Sequence, residues 1–318
     1  MTHSQNAWDN LGIQIEQARA LIADLPYSSF DTAVNPAPDA SLKHLIDECQ
    51  DLVKSAPNMP KPKVRLLHHF ACTGGTLVAR CLGVMPNVQL LSEVDPLSTQ
   101  SDAQKFRPTD LAFLARSGTR PTDAATTVAI FQAGLDIVME QAQQKGLQVV
   151  LRDHPHSMYC HDSAVPDRPT LRAIIKDKHP VLSLVTLRHP LDSYLSLMHN
   201  GWVHFTPHTL EEYAQRMTRF LSDHDTSPHI RYEDILADPA KEIANACHIL
   251  DLTFKDNLVN LTSDVPLSGD SGRSGSKFTV RTRRPVSQTL AQETRDSPTY
   301  TALCVQLGYN PDPAAAPV

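Results

Sequence analysis

Val64-Arg-Leu-Leu-His-His-Phe-Ala-Cys-Thr-Gly-Gly-Thr76 is the stretch that decides the fold. The strand-like run Val64–Phe70 passes straight into a loop of small residues, Ala71–Thr76, and a helical pattern opens at Thr76 and continues to Leu82. Small side chains let a backbone approach an anion closely, and a helix N-terminus offers unpaired N–H groups and the positive end of a dipole. Gly74 and Gly75 provide the close approach, while Thr73 and Thr76 add hydroxyl donors. The GxxxxGK[ST] pattern of a Walker A loop is absent. Taken alone, the stretch describes an ordinary tight βα turn equally well.

Outward from this loop the chain alternates between strand and helix. Strand-like runs fall at Val88–Leu91, Gln148–Leu151, Val181–Leu187 and His229–Tyr232. Between and after them, Val128, Phe131, Leu135 and Val138 mark one helix, with Gly146 as a stop signal. Pro190–Met198, Leu210–Leu221, Pro239–Leu250 and Tyr300–Leu307 mark others, Pro190 suiting a first helical position. Short apolar strands alternating with helices predict an α/β fold: a central parallel sheet of about five strands flanked by helices. Upstream, Trp8, Leu11, Ile15, Ala18 and Ile22 recur at helical spacing. So do Leu42, Leu45, Ile46, Cys49, Leu52 and Val53, with Asp39 as N-cap. Ala56-Pro-Asn-Met-Pro-Lys-Pro62 breaks any helix. The expected organisation is therefore an N-terminal helical extension, 1–60, followed by one α/β domain, 61–318.

Bulk properties exclude several classes. The 318 residues carry a formal net charge of -6, which disfavours broad affinity for nucleic acid or an anionic membrane. No apolar run approaches the roughly 20 residues of a membrane span. Met1–Asn10 lacks the basic and apolar regions of a signal peptide. Six cysteines are scattered with no CxxC pair, which points to reduced thiols and a cytoplasmic protein.

Polar side chains gather at the carboxyl ends of the strands, where open α/β sheets bind ligands. Gln148–Leu151 ends in Arg152-Asp-His154. The short strand from Val88 ends in Leu91-Ser-Glu93. Val181–Leu187 ends in Arg188-His-Pro-Leu-Asp-Ser-Tyr-Leu-Ser196. In this last element a guanidinium can hold a phosphate through two parallel hydrogen bonds, and Ser196 can share it from the following helix. Asp192 favours the helix N-terminus.

Arg188-x-Pro190-x-Asp192-x-x-x-Ser196 after a buried strand resembles the 3′-phosphate signature of sulfotransferases. The resemblance covers roughly residues 63–310. It implies a P-loop-like nucleotide-binding core using 3′-phosphoadenosine-5′-phosphosulfate as co-substrate, with no metal. Ala71–Thr76 resembles the family's 5′-phosphosulfate loop, so Cys72, Thr73, Gly74, Gly75 and Thr76 would hold the 5′ end. Arg188, Ser196 and Arg273, the last within the Gly272–Gly275 loop, would hold the 3′-phosphate. Arg152-Asp-His154 resembles an element of the cytosolic branch in which the His is the catalytic base. Ser92-Glu93 resembles the branches with a carboxylate base, and the choice between His154 and Glu93 stays open. Ile230-Arg-Tyr-Glu-Asp-Ile235 resembles a segment common in these enzymes, and Tyr232 and Glu233 are read as structural. One departure stands out. The family's loop often carries Lys or Arg where this chain has Cys72, and Arg152 is the candidate to supply that charge.

The implied reaction is sulfuryl transfer to a hydroxyl or amine of a carbohydrate or small metabolite. Pro96–Asp123 and Asn200–His208 are the expected acceptor loops, with Trp202, His204 and Phe205 available to stack on a ring. Asp264–Pro285 holds five basic side chains (Arg273, Lys277, Arg281, Arg283, Arg284) against Asp264 and Asp270, as a lid over a bisphosphate would. Three other readings remain: a zinc site in His154-Pro-His156-Ser-Met-Tyr-Cys160-His161, a P-loop-type kinase, and a catalytically inactive nucleotide-binding protein, which Cys72 favours. The acceptor and the oligomeric state are not legible.

Overall fold

A computed structural model describes residues 61–98, 109–259, 278 and 282–315. The helical extension expected over 1–60 lies outside the described residues, as do Arg273, Lys277 and Arg281.

In chain order the elements are β1 (Val64–His69), α1 (Gly75–Gly83), β2 (Val88–Val94), α2 (Leu111–Ser117), α3 (Ala124–Gln144), β3 (Gln148–Asp153), α4 (His156–Tyr159), β4 (His161–Asp162), α5 (Leu171–Ile175) and β5 (Val181–Leu187). Then follow α6 (Pro190–His199), β6 (His204–Phe205), α7 (Leu210–Asp223), β7 (His229–Arg231), α8 (Tyr232–Ala237), α9 (Pro239–Ile249), α10 (Gln288–Asp296) and α11 (Pro298–Leu307). Five strands form one sheet in the order β2-β3-β1-β5-β7. Every pairing in it is parallel. The short β4 and β6 form a separate parallel pair.

A parallel sheet needs cover on both faces, and alternate residues of the central strands serve the two faces. Leu67, Val150, Leu184 and Ile230 pack with α1 and α9. Val64, Leu66, Val149 and Leu151 pack with α3 and α5. A third cluster surrounds the carboxyl ends of β1 and β5, where Phe70, Val185 and Leu187 meet α6, α7 and α11. Local chemistry sets the helix ends. Asp123 caps α3 by accepting from Thr126 N–H, and Thr209 caps α7 by accepting from Glu212 N–H. Pro190 occupies the first turn of α6. Gly308 ends α11 in the left-handed region, φ 73°.

The five strand-like runs all become sheet strands. Their ends differ: β1 stops at His69, β2 runs on to Val94 and β3 to Asp153, and β7 stops at Arg231, so Tyr232 opens α8 and its ring becomes available to the loop after β1. Among the described residues no helix is long and apolar enough to cross a membrane.

Candidate active site

β1 and β5 are neighbours, yet the chain leaves them in opposite directions, toward β2 at one edge and toward β7 at the other. This is the switch point where open α/β sheets form a crevice. The loop after β1 is a tight, internally bonded turn. Thr73 N–H and Thr73 Oγ1 both donate to Phe70 O, at 3.2 and 2.8 Å, and Oγ1 lies 3.1 Å from Thr186 Oγ1 on β5. The Thr73 hydroxyl is thus buried within the turn. It fastens β1 to β5 and does not face outward. Cys72 and Gly74 take positive φ, 65° and 95°. A methyl group at Gly74 would come within 2.6 Å of the Tyr232 ring, and one at Gly75 within 2.2 Å of the His69 ring. Packing therefore excludes side chains at both positions. No side chain caps the N-terminus of α1, which begins at Gly75.

Arg188 stands directly across from this loop. Its guanidinium lies 4.7 Å from the Tyr232 ring centroid, a cation–π contact, and Nη1 reaches Cys72 O at 3.4 Å. Tyr232 is thus wedged between Gly74 and Arg188. The turn carrying Arg188 is held from behind. Glu233 Oε1 accepts from His189 N–H at 2.9 Å, and Oε2 accepts from Tyr309 OH at 2.8 Å. His189 Nδ1 accepts from Leu191 N–H, and Nε2 donates to Asn310 O. Asp192 is buried and pairs with Arg283, whose Nη2 lies 3.0 Å from Oδ2. Arg283 also donates to three carbonyls of residues 312–315, so this member of the basic segment is an anchor for the C-terminal stretch. Ser196 is buried one turn after Asp192.

Arg152 ties the other strand ends together. Nε donates to His69 Nε2 at 3.1 Å, Nη1 to Ser92 Oγ at 3.0 Å, and Nη2 to Thr76 Oγ1 at 2.9 Å. The same guanidinium pairs with Glu93 Oε1, and Glu93 Oε2 lies 3.3 Å from His154 Nε2. Glu93 thus bridges Arg152 and His154. It reaches them because the β2–β3 register shifts between Leu91 and Val94, with Glu93 at φ 61°. Burial pushes the Glu93 carboxyl up to about 7, against the opposing pull of Arg152. Burial lowers His154 below the usual imidazole value, against Asp95 and Asp153. Both shifts favour the uncharged forms.

Beyond His154 lies a ring cluster. His154 stacks on His156 with centroids 6.2 Å apart. His156 meets His204 at 5.5 Å and Trp202 at 6.4 Å, both edge to face. His161 lies 5.8 Å from His204. Burial, with the neighbouring imidazoles, pushes His156 down to about 3, and burial lowers His204 as well. Burial thus holds the rings of His154, His156 and His204 toward the uncharged form. Phe205 does not join it. The ring is fully buried, with the Arg216 guanidinium 4.9 Å from its centroid. Cys160 is buried in the third core cluster, and burial pushes its thiol up, so it does not complete a zinc set with these histidines.

Solved structures similar to this chain include the sulfotransferase domain of the Synechococcus PCC 7002 olefin synthase, 15% identical, covering 80% of this chain and 98% of that one, TM-score 0.47. A sulfotransferase from Alicyclobacillus acidocaldarius is 14% identical over 80% and 97% of the two chains, TM-score 0.40. A sulfotransferase from Mycobacterium tuberculosis is 15% identical over 69% and 76%, TM-score 0.35. A scan against family models finds no match, and neither does a comparison with curated protein sequences. Likeness at these values carries no functional argument, and the chemistry rests on this chain's own residues.

Of the residues singled out in the sequence, the fold brings together Cys72–Thr76 with Arg188, and Arg152 with Glu93, His154 and Thr76. Arg273 lies outside the described residues. Sequence reasoning missed His69, which packs on Gly75 and receives Arg152. Asn200 entered only as the first residue of an expected acceptor loop, and its Nδ2 lies 3.7 Å from Cys72 Sγ. The available signal for His69 was the polar pair His68-His69 after the apolar Leu66-Leu67.

Proposed function

We propose that the chain is a sulfotransferase that moves a sulfuryl group from 3′-phosphoadenosine-5′-phosphosulfate to a hydroxyl or amine acceptor. The observation that carries this reading is the meeting of two anion-binding devices across the β1/β5 crevice: the glycine loop opening α1, and Arg188 stacked on Tyr232 beside it. The residues fit such a donor. No side chain caps the α1 N-terminus, which suits the 5′ end of the donor. Arg188, with its face on Tyr232 and an edge toward the loop, suits the 3′-phosphate, shared with Ser196. Thr76 and Arg152 stand between this loop and the Glu93–His154 pair, the position for a leaving 5′-phosphate.

The donor supplies an activated sulfuryl group, and the chain's residues align and deprotonate the acceptor. Positioning and charge stabilisation should dominate, as in phosphoryl transfer. His154 is the base. While Glu93 is ionised, its Oε2 accepts from His154 Nε2–H and leaves Nδ1 as the basic nitrogen. Glu93 acts through His154, as a positioning residue. The neutral rings of His156, His204 and Trp202 suit an uncharged acceptor, a sugar or an aromatic hydroxyl.

A second reading has one observation in its favour. Cys72 replaces a cation, and Arg152 is already paired with Glu93, an arrangement that suits binding without transfer. Incubation with the labelled donor and a panel of sugars and phenols separates the two. Acceptor-dependent release of adenosine 3′,5′-bisphosphate supports the enzyme, and tight binding with no release above buffer supports the inactive binder.

A further inference from the structure

His68, Asp153 and His224 converge beneath the site on three different elements. His68 and Asp153 lie near the carboxyl ends of the adjacent strands β1 and β3, and His224 follows the last turn of α7. All three are more than nine-tenths buried. One potential ligand atom from each lies within 4.8 Å of the others, the one such group of three among the described residues.

A hydrogen bond fixes the lone pair of His224. His224 Nδ1 lies 2.8 Å from Phe220 O. A carbonyl only accepts, so Nδ1 carries the proton and Nε2 a lone pair. His68 Nδ1 lies 2.8 Å from Asp153 Oδ2. One proton is shared across this contact, and a cation taking its place would draw on a lone pair of the His68 ring and on the carboxylate together. The two rings are 4.2 Å apart. Neither Nε2 meets a hydrogen-bond partner among the described residues. His224, its Nδ1 turned to a carbonyl and its buried Nε2 left open, shows the second-shell pattern of a metal-binding histidine. A buried polar atom left without a partner is costly, so the arrangement calls for a cation.

We propose that His68, Asp153 and His224 bind one zinc ion, which clips β1, β3 and the end of α7 together beneath the site. Two imidazoles with a carboxylate and no thiolate suit zinc or a neighbouring first-row divalent ion. Zinc holds nitrogen at ~2.0–2.1 Å, so small rotations of the two rings must draw the group inward. Arg172, close enough to disfavour a charged His68, opposes the ion, and the Asp153 carboxylate offsets it. Burial of all three ligands makes the role structural. Asp153 lies between Arg152 and His154 in the chain, so the ion would fix the strand end that carries both. The proposal is independent of the sulfuryl-transfer reading.

The test uses the full chain, stripped with a chelator and reloaded with zinc chloride, with bound metal and melting temperature as readouts. One zinc per chain and a higher melting temperature are expected, and cobalt chloride should give the visible bands of a four-coordinate nitrogen–oxygen site. His224→Gln should weaken binding by about 100-fold or more, since even residues behind a ligand are worth ~10–100-fold. His204→Gln, in the ring cluster, should leave binding unchanged. Failure of the unmodified chain to bind stoichiometric zinc overturns the proposal, and so does binding lost with His204→Gln but retained with His224→Gln. The metal-loading readout on unmodified protein holds even where a variant fails to fold.

Discussion

The two sides of the crevice are built by opposite means. On the side proposed for the donor, Thr73, Arg188 and His189 are fixed by the backbone or by a buried partner: Thr73 to Phe70 O and Thr186, Arg188 on Tyr232, His189 between Glu233 and Asn310. On the side proposed for the acceptor, past the Glu93–His154 contact, the groups are rings in edge and stacking contact, from His154 through His156 to Trp202 and His204. Hydrogen-bonded turns specify one ligand geometry, whereas ring clusters accept a class of shapes. Under the proposed function, one fixed donor and a choice of acceptors would use this division.

The comparison breaks most readily at the junction of the two sides. Replacing His154 with Ala should lower turnover by roughly 10²–10⁴-fold, the usual worth of a positioned base, and leave donor affinity intact in a binding titration. Retained turnover would pass the base role to Glu93. Arg188→Ala should act on the other side, removing the preference for a 3′-phosphate and lowering turnover by about 10²–10³-fold, as loss of one pre-set anion donor does. The two variants should therefore separate binding from chemistry, and a variant pair with the same phenotype would erase the distinction.

Gly74→Ala probes the rigidity of the donor side. The added methyl would meet the Tyr232 ring at 2.6 Å in a left-handed backbone, and denaturant unfolding should register a loss of ~1–3 kcal/mol. Smaller still is the pH effect. Glu93 is raised to about 7 by burial, so it is protonated below that value and ionised above it. If its carboxylate orients His154, kcat/KM should climb as pH rises from 6 to 8, and Glu93→Gln should flatten the climb. The folded state also holds this proton more tightly than the unfolded chain does. Glu93 therefore contributes stability that is present at low pH and lost as pH rises through about 7. His204→Ala should change the acceptor KM only a few-fold, with donor binding unmoved, if the ring cluster is adaptable.

The sheet was legible because each strand is a short apolar run with turn chemistry at its end, and parallel packing demands such runs. The meeting of the loop Ala71–Thr76 with Arg188 was legible because both follow neighbouring strands at one edge of the sheet, where polar groups collect. What the sequence could not carry was pairing at a distance. Nothing local to Gly74 announces Tyr232, and nothing in Arg188-His189 announces Glu233. The Glu93–His154 contact depends on a register shift in β2 that no periodicity reports. Thr73 looked like a ligand donor because its hydroxyl adjoins the glycines, yet its shortest hydrogen bond turns it inward to its own turn. Phe205 looked available because two-residue β6 is too short to show which face is buried. Asp192 was read against the helix dipole, and its partner Arg283 lies ninety-one residues further on.

The central claim is that the β1/β5 crevice is shaped for an adenosine nucleotide phosphorylated at both the 3′ and 5′ positions. Thermal-shift titration of the full chain with adenosine 3′,5′-bisphosphate, beside ATP with Mg²⁺, tests it most directly. Stabilisation at saturation follows ligand concentration over Kd, about 2.7 kcal/mol at 100-fold excess. The account predicts a clearly larger shift with the bisphosphate, and loss of that difference in Arg188→Ala. Equal shifts, no shift, or a difference that survives Arg188→Ala would contradict it.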